Sequence, residues 1–140
     1  MDKTFWIRMH GGSTHFPIAL VLTSALFDML GYVWPAQTRR REFHAVGFYL
    51  IVGAALTSFG AVLSGLVISK WVIAGTGLTT KHHLFVWPAF ALMIALAVWR
   101  IITGHETSRR GFAIYLAAMG LTSVLIVAAG YWGGEMLIGS

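Results

Sequence analysis

The chain has no cysteine and few charged residues. None of its 140 residues is a cysteine, and only 11% are Asp, Glu, Lys or Arg. The missing thiols exclude disulfide bonds, iron–sulfur ligation and covalent attachment of a c-type haem. Hydrophobic residues make up 57% of the chain, which is more than a soluble domain carries. The composition therefore indicates an integral membrane protein.

Four stretches with little or no charge each approach the roughly 20 residues that cross about 30 Å of hydrocarbon. They cover residues 16–34, 48–69, 84–99 and 112–132. We predict an all-α membrane protein with transmembrane helices over 14–35, 44–73, 82–103 and 110–136, arranged as an up-down four-helix bundle. The connections are too short to hold a soluble domain, so residues 1–140 are expected to form one transmembrane domain.

The positive charges are unevenly divided between the two ends of the predicted bundle. The first and third connections and the helix ends beside them carry Arg39, Arg40, Arg41, Arg100, Arg109 and Arg110. The opposite end carries Lys3, Arg8, Lys70 and Lys81. The positive-inside rule then predicts a bacterial inner membrane protein with both termini on the periplasmic side. No basic patch with interleaved aromatic residues is present, so no nucleic-acid partner is expected.

Three histidines are predicted to lie at similar depth near the periplasmic face. His15 opens the first helix, which Thr14 is expected to cap, and His82 and His83 open the third helix, which runs in the same direction. Two imidazoles on opposite sides of a ring are what a b-type haem requires. The candidate axial ligands are His15 and His83, with His82 as the substitute, because Trp87 lies one turn beyond His83 and can pack on the ring.

Glu135 is predicted to join the same face, because the fourth helix returns there. Its carboxylate has four interpretations. It orients a ligand histidine through the second ring nitrogen, completes a zinc or copper site with His15 and His82 or His83, relays protons near a quinone, or is a solvated residue near the C-terminus without a role in a site. His10 would be a further ligand if the tail before His15 folds back, and otherwise it is expected to be an exposed interfacial residue.

Titratable residues are also found toward the cytoplasmic face. His44 begins the second helix and His105 follows the third, so a second histidine pair is geometrically possible there. Asp28 is an acid well inside an apolar span, where a charge is costly unless it is paired. We expect Asp28 either to pair with Arg100 or with the run 39–41, or to stay protonated within the bundle.

Three motifs carry a resemblance to a known bacterial family. They are residues 14–20 (THFPIAL), 26–28 (LFD) and 130–135 (GYWGGE). The chain resembles the small four-helix membrane proteins catalogued as domain of unknown function 2231, over nearly all of 15–135. Members are often joined to Rieske or c-type cytochrome domains, so the resemblance implies a respiratory setting and favours haem b over a bare metal ion. The family's acid near the end of the second helix is missing here, and its role is not carried over.

Three functions follow from these residues and from the resemblance. The first is a b-type cytochrome-like electron-transfer subunit of a respiratory membrane complex, which is not an enzyme by itself. It would exchange electrons with a periplasmic cytochrome or Rieske-type partner and with quinone. The second is a cofactor-free structural or assembly subunit, and the third is a His/Glu site for zinc or copper. The lipid bilayer and other subunits of a membrane complex are the expected partners.

Overall fold

A computed structural model describes residues 2–104 and 107–138. Over these ranges the chain forms four helices and no strands. The helices are α1 (Lys3–Val33), α2 (Gln37–Ile68), α3 (Leu78–Thr103) and α4 (Arg109–Ile138). Each is long and apolar enough to cross a membrane. The predicted all-α class with four membrane-spanning helices is confirmed.

The first helix begins earlier than the sequence indicated. Asp2 is its N-cap, and the Asp2 carboxylate accepts a hydrogen bond from the backbone N–H of Thr4 at 3.3 Å. The prediction that Thr14 caps the helix beside His15 is therefore wrong. At 1.5 Å per residue, α1 is about 46 Å long and extends well beyond about 30 Å of hydrocarbon. The extra turns place His10 on the same rigid element as His15.

The second helix also differs from its predicted bounds. It begins at Gln37 rather than at 44, and it ends at Ile68 rather than at 73. Lys70 and Trp71 have positive φ angles of 55° and 64°, a left-handed conformation that a continuing α-helix does not allow. The apolar run continues past Ile68, but the backbone turns there.

The helices pack as two antiparallel hairpins. α1 packs mainly against α2 and α3 against α4, while α1–α4 and α2–α3 contacts close the ring. α1 and α3 therefore run in the same direction and lie diagonally across the bundle. We call the end where α1 begins and α4 finishes the terminal end, and the opposite end the far end.

Three glycines allow α1 and α2 to approach closely. A Cβ atom at any of them would lie within 3 Å of a side chain on the facing helix. The pairs are His10 with Gly65, Asp28 with Gly47, and His44 with Gly31. Small residues allow such close backbone approach in membrane helices. The side chains of His10, Asp28 and His44 therefore pack directly against the backbone of the facing helix.

The two hairpins repeat one another. Buried Pro17, Val21, Ser24 and Asp28 on α1 correspond to buried Ala89, Met93, Leu96 and Arg100 on α3, at the 72-residue separation of Asp28 and Arg100. At a separation of 68 residues, the buried residues of α2 correspond to buried residues of α4: Gly47 to Tyr115, Ile51 to Met119, Ala54 to Thr122, Ser58 to Ile126 and Ala61 to Ala129. Because equivalent helices are parallel and diagonal, an approximate twofold axis along the bundle relates the hairpins. Equivalent residues of α1 and α3 face one another across that axis.

Candidate functional site

His10 is held against α2 near the terminal end. Its Nδ1 atom lies 3.0 Å from the carbonyl oxygen of Ala61 and 3.1 Å from Oγ of Ser64. A carbonyl oxygen only accepts, so Nδ1 carries the proton, and in the neutral ring Nε2 keeps a free lone pair. The Ser64 hydroxyl donates to the Ala61 carbonyl at 2.9 Å, which leaves its oxygen free to accept from His10. The ring is half-buried, so the prediction of an exposed His10 is wrong.

His82 is held against α4 in the same way. Its Nδ1 atom lies 2.8 Å from the carbonyl oxygen of Ala129. A Cβ atom on Gly133, one turn beyond Ala129, would lie 3.3 Å from the His82 ring. This repeats the arrangement of His10 with Ala61 and Gly65. The Nδ1–H tautomer is again required, and Nε2 again keeps its lone pair.

His10 and His82 form a pair related by the internal repeat. The same 72 residues that separate Asp28 from Arg100 also separate these two histidines. Both rings are half-buried. We call His10 and His82 the histidine pair. Two imidazoles with fixed tautomers thus occupy equivalent positions on the diagonal helices.

The residues that the sequence predicted for this site are only partly brought together. The His83 ring centre lies 5.8 Å from that of His82 and 6.0 Å from that of Trp87. The Nδ1 atom of His83 is buried without a partner among the described residues. His15 is exposed on α1, and Glu135 is half-buried near the end of α4. His82, His83 and Trp87 are therefore neighbours, while His15 is turned to the surface.

Sequence reasoning missed the role of His10, although a signal was present. The spacing from His10 to Asp28 equals the spacing from His82 to Arg100. That repeat would have aligned the first and third helices and matched His10, rather than His15, with His82. Without the repeat, the first helix is predicted only from residue 14 onward, so His10 falls outside it.

A second polar cluster lies deeper, toward the far end, and takes one residue from each helix. We call Asp28, His44, Arg100 and Tyr115 the four-helix cluster. The Asp28 Oδ1 atom lies 3.2 Å from Nη2 of Arg100 and 3.2 Å from Nδ1 of His44, and Oδ2 accepts from the Tyr115 hydroxyl at 2.9 Å. Asp28 is fully buried and Arg100 is 4% exposed. The predicted pairing of Asp28 with Arg100 is confirmed.

Aromatic rings and a backbone carbonyl complete the surroundings of Arg100. Its Nη2 atom also donates to the carbonyl oxygen of His44 at 2.6 Å. Its guanidinium carbon lies 5.3 Å from the ring centres of both Phe112 and Tyr115. These contacts replace water around a buried cation. His105, the predicted partner of His44 in a second histidine pair, lies outside the described residues.

Comparison with known proteins agrees with the resemblance seen in the motifs. A family model described as a predicted membrane protein (DUF2231) matches residues 7–139. The chain belongs to this family. It is a multi-pass membrane protein, and the match includes the histidine pair and the four-helix cluster. No curated protein and no solved structure matched the chain.

At the terminal end of this DUF2231 protein, the described residues present two imidazoles with fixed tautomers and no cluster of three metal ligands. Within 2–104 and 107–138, no three His, Asp or Glu side chains are grouped so that they would hold a metal ion. Zinc sites use three or four protein ligands. Bis-imidazole haem needs only two side chains, and the histidine pair supplies two with available Nε2 atoms.

Proposed function

We propose that this DUF2231 protein is a membrane-embedded electron-transfer subunit that holds a b-type haem between His10 and His82. One observation carries the proposal. Two half-buried imidazoles at equivalent positions on diagonal helices each give the Nδ1 proton to a backbone carbonyl and leave Nε2 unused. Metal-bound histidines typically hold the second ring N–H in such a bond, because it fixes the tautomer and the ring orientation.

The internal repeat supports the same ligands. The two faces of a haem are chemically similar, so an approximate twofold axis suits a site that presents one imidazole to each face. Gly65 and Gly133 let the two imidazole rings pack directly against α2 and α4, which fixes the position of each ring. Arg8 and Lys81, at the same end, are the cations suited to meet haem propionates.

A bound haem would supply one-electron transfer, and with both axial positions taken by histidine it would not bind oxygen. The arginine distribution favours a bacterial inner membrane with the histidine pair on the periplasmic side. There it is suited to a periplasmic cytochrome or Rieske-type partner and to quinone. By itself the chain carries electrons without converting a substrate.

A cofactor-free structural subunit is the second candidate, and one observation favours it. The hydrogen bond of His10 ties α1 to α2, and that of His82 ties α3 to α4. In this role the two imidazoles act as interhelical ties in an assembly subunit, and their Nε2 atoms stay unligated.

Visible spectroscopy separates the two candidates. The protein would be purified in detergent from cells supplied with a haem precursor, and its dithionite-reduced minus air-oxidised spectrum recorded. We expect sharp α and Soret bands that are lost in His10→Ala and in His82→Ala. They should persist in His15→Ala, which removes an exposed imidazole from the same helix as His10.

Rescue with imidazole tests whether the histidine variants lose the bands only because the protein has lost its fold. His82→Gly purified with free imidazole should regain the bands, because imidazole can occupy the vacated position. A featureless wild-type spectrum would reject the haem and leave the structural subunit. Bands that depend on His15 and His83 instead would reject the histidine pair as the ligands.

A further inference from the structure

A cavity of about 850 Å³ opens at the far end, between the starts of α2 and α4 and the end of α3. Its size falls within the roughly 300–1,000 Å³ typical of small-molecule sites. We call it the arginine pocket, and its wall includes Arg40, Arg41, Arg100, Arg109, Tyr32 and Phe112. It lies at the opposite end of the bundle from the histidine pair, so what it binds does not depend on the proposed haem.

Three of these arginines bring positive charge that no described carboxylate neutralises. The Arg40 guanidinium donates to the carbonyl oxygen of Trp34 at 2.9 and 3.3 Å, and that oxygen is an uncharged acceptor. Arg109 lies over the ring of Tyr32, with its guanidinium carbon 5.2 Å from the ring centre. Arg41 is exposed and has no described ion pair. All three retain N–H donors for a ligand.

The acid in the pocket wall does not offset this charge. Glu42 lines the cavity, but its carboxylate pairs with Arg39 at 3.1 Å, and Arg39 is not among the lining residues. The carboxylate of Asp28 is likewise already paired with Arg100. Among the described residues of its wall, the pocket therefore carries an excess of positive charge.

Two helix starts add to the positive potential. α2 and α4 both begin beside the pocket, and neither has an acidic residue in its first turn. The N-cap of α2, Ala36, provides no side-chain hydrogen bond to the first-turn N–H groups. Helix N-termini attract anions, phosphate in particular.

Two buried polar atoms in the wall have no hydrogen-bond partner within the part of the chain that the structure describes. Arg100 is 4% exposed and reaches the cavity, and its Nε atom is buried without a partner among the described residues. Thr107 also lines the cavity, and its hydroxyl is buried without a described partner. Buried polar atoms are seldom left unsatisfied, because an unmade hydrogen bond costs about 1–3 kcal/mol. Together these groups are suited to a ligand rich in acceptor oxygens.

We propose that the arginine pocket binds a phosphate-bearing anion. The planar guanidinium matches phosphate oxygens with paired, charge-assisted hydrogen bonds, and three accessible arginines line this one cavity. The volume exceeds what a single phosphate needs, and Tyr32, Ala45 and Phe112 add apolar wall. Both features suit a phosphate that is part of a larger molecule. A membrane phospholipid headgroup and a soluble phosphate ester share this chemistry, and the experiment separates them.

The test compares two double variants of the full chain in detergent. Arg41→Gln with Arg109→Gln removes two charges from the pocket, and Lys70→Gln with Arg110→Gln removes two charges from positions outside it while keeping the pair of Arg39 with Glu42. Binding of phosphatidylglycerol, of phosphatidylcholine with the same acyl chains and of glycerol phosphate would be measured for each by native mass spectrometry and by thermal shift.

We expect wild type to prefer phosphatidylglycerol to phosphatidylcholine, and the pocket variant to lose about tenfold in affinity while the control variant keeps it. Glycerol phosphate bound equally well, with the same dependence on the pocket, would support the site and identify a soluble ligand. Equal losses in the two variants would mean only nonspecific attraction to basic residues and would overturn the proposal. Equal binding of both phospholipids, with no binding of glycerol phosphate, would overturn it too. Unchanged melting temperatures without lipid would show that neither variant had lost its fold.

Discussion

Asp28 and Arg100 occupy equivalent positions on α1 and α3 and meet at 3.2 Å across the axis of the bundle. The repeated hairpins thus carry opposite charges at the same point. An unpaired charge buried among apolar helices is costly, so each residue makes the other acceptable. If two copies of the same hairpin packed together, two aspartates or two arginines would meet at this position. The pair therefore favours the association of two different hairpins.

Breaking this pair from the acid side should be severe. In Asp28→Asn the Arg100 guanidinium stays buried without a counter-charge, and it cannot lose its proton. We expect the free energy of unfolding to fall by about 3–5 kcal/mol. Arg100→Met should cost less, because Asp28 can take up a proton and still bond with Tyr115. Denaturant titration in mixed micelles, followed by circular dichroism, measures both losses.

The double variant Asp28→Leu with Arg100→Met supplies the control for this asymmetry. It removes both charges, so it should recover much of the stability lost in Asp28→Asn. Glu42→Gln, which breaks an exposed pair with Arg39, should change little. A double variant no more stable than Asp28→Asn would contradict the interpretation that an unpaired charge causes the loss.

Tyr115 should contribute a smaller, separable amount. Tyr115→Phe keeps the ring stacked on Trp99 at 5.0 Å but removes the hydroxyl that donates to Asp28 at 2.9 Å. Hydrogen bonds between membrane helices average about 0.6 kcal/mol and reach about 1.7 kcal/mol, and a carboxylate acceptor favours the upper part of that range. Tyr131→Phe on the same helix, where the ring is 60% exposed, should have no measurable effect. Similar losses in both variants would show that the bond to Asp28 adds nothing.

The existence of the four helices could be predicted because the bilayer sets the length of an apolar run. Their ends could not, because α1 and α2 continue into polar residues outside the hydrocarbon. Residues before His15, including Gly11 and Gly12, have the composition of a tail. They are helical here because His10 packs on Gly65. That contact joins residues far apart in the chain, so the sequence around His10 does not predict it.

The four-helix cluster and the histidine pair could be predicted to different degrees, because tertiary contacts decide part of each. A single acid inside a span needs a partner or a proton, so Arg100 is one of the three outcomes expected for Asp28, and the structure shows that contact. The contributions of His44 and Tyr115 depend on how each helix is rotated about its axis, which the apolar pattern of a membrane helix leaves open. The match of His10 with His82 depends on the internal repeat, and the predicted ligand His15 does not take part in it.

Gly47 should tolerate no side chain. A Cβ atom there would overlap the Asp28 carboxylate, which cannot move without breaking the four-helix cluster. We expect Gly47→Ala to lower the free energy of unfolding by about 1–3 kcal/mol. Gly53→Ala on the same helix adds a Cβ in ordinary contact, 3.6 Å from Leu20, and should be neutral or slightly stabilising. Thermal unfolding in detergent compares the two, and a harmless Gly47→Ala would mean that Asp28 is free to move.

Gly65 tests the histidine pair without removing either imidazole. A Cβ atom at Gly65 would lie 2.9 Å from Cε1 of His10, so the ring must shift and its hydrogen bond to Ala61 must lengthen. Gly65→Ala should lower the free energy of unfolding by about 1 kcal/mol. Gly60→Ala is the matched control on α2, because its Cβ would meet nothing within 4 Å. It should leave stability unchanged or raise it.

The same two variants show whether the position of His10 matters to a cofactor. If haem is bound, Gly65→Ala should shift the reduced spectrum or the midpoint potential, because the axial imidazole is displaced while the iron ligands are kept. Gly60→Ala should shift neither. A change in stability with an unchanged spectrum would mean that His10 ties α1 to α2 without ligating the iron, because a displaced ligand cannot leave the haem unaffected.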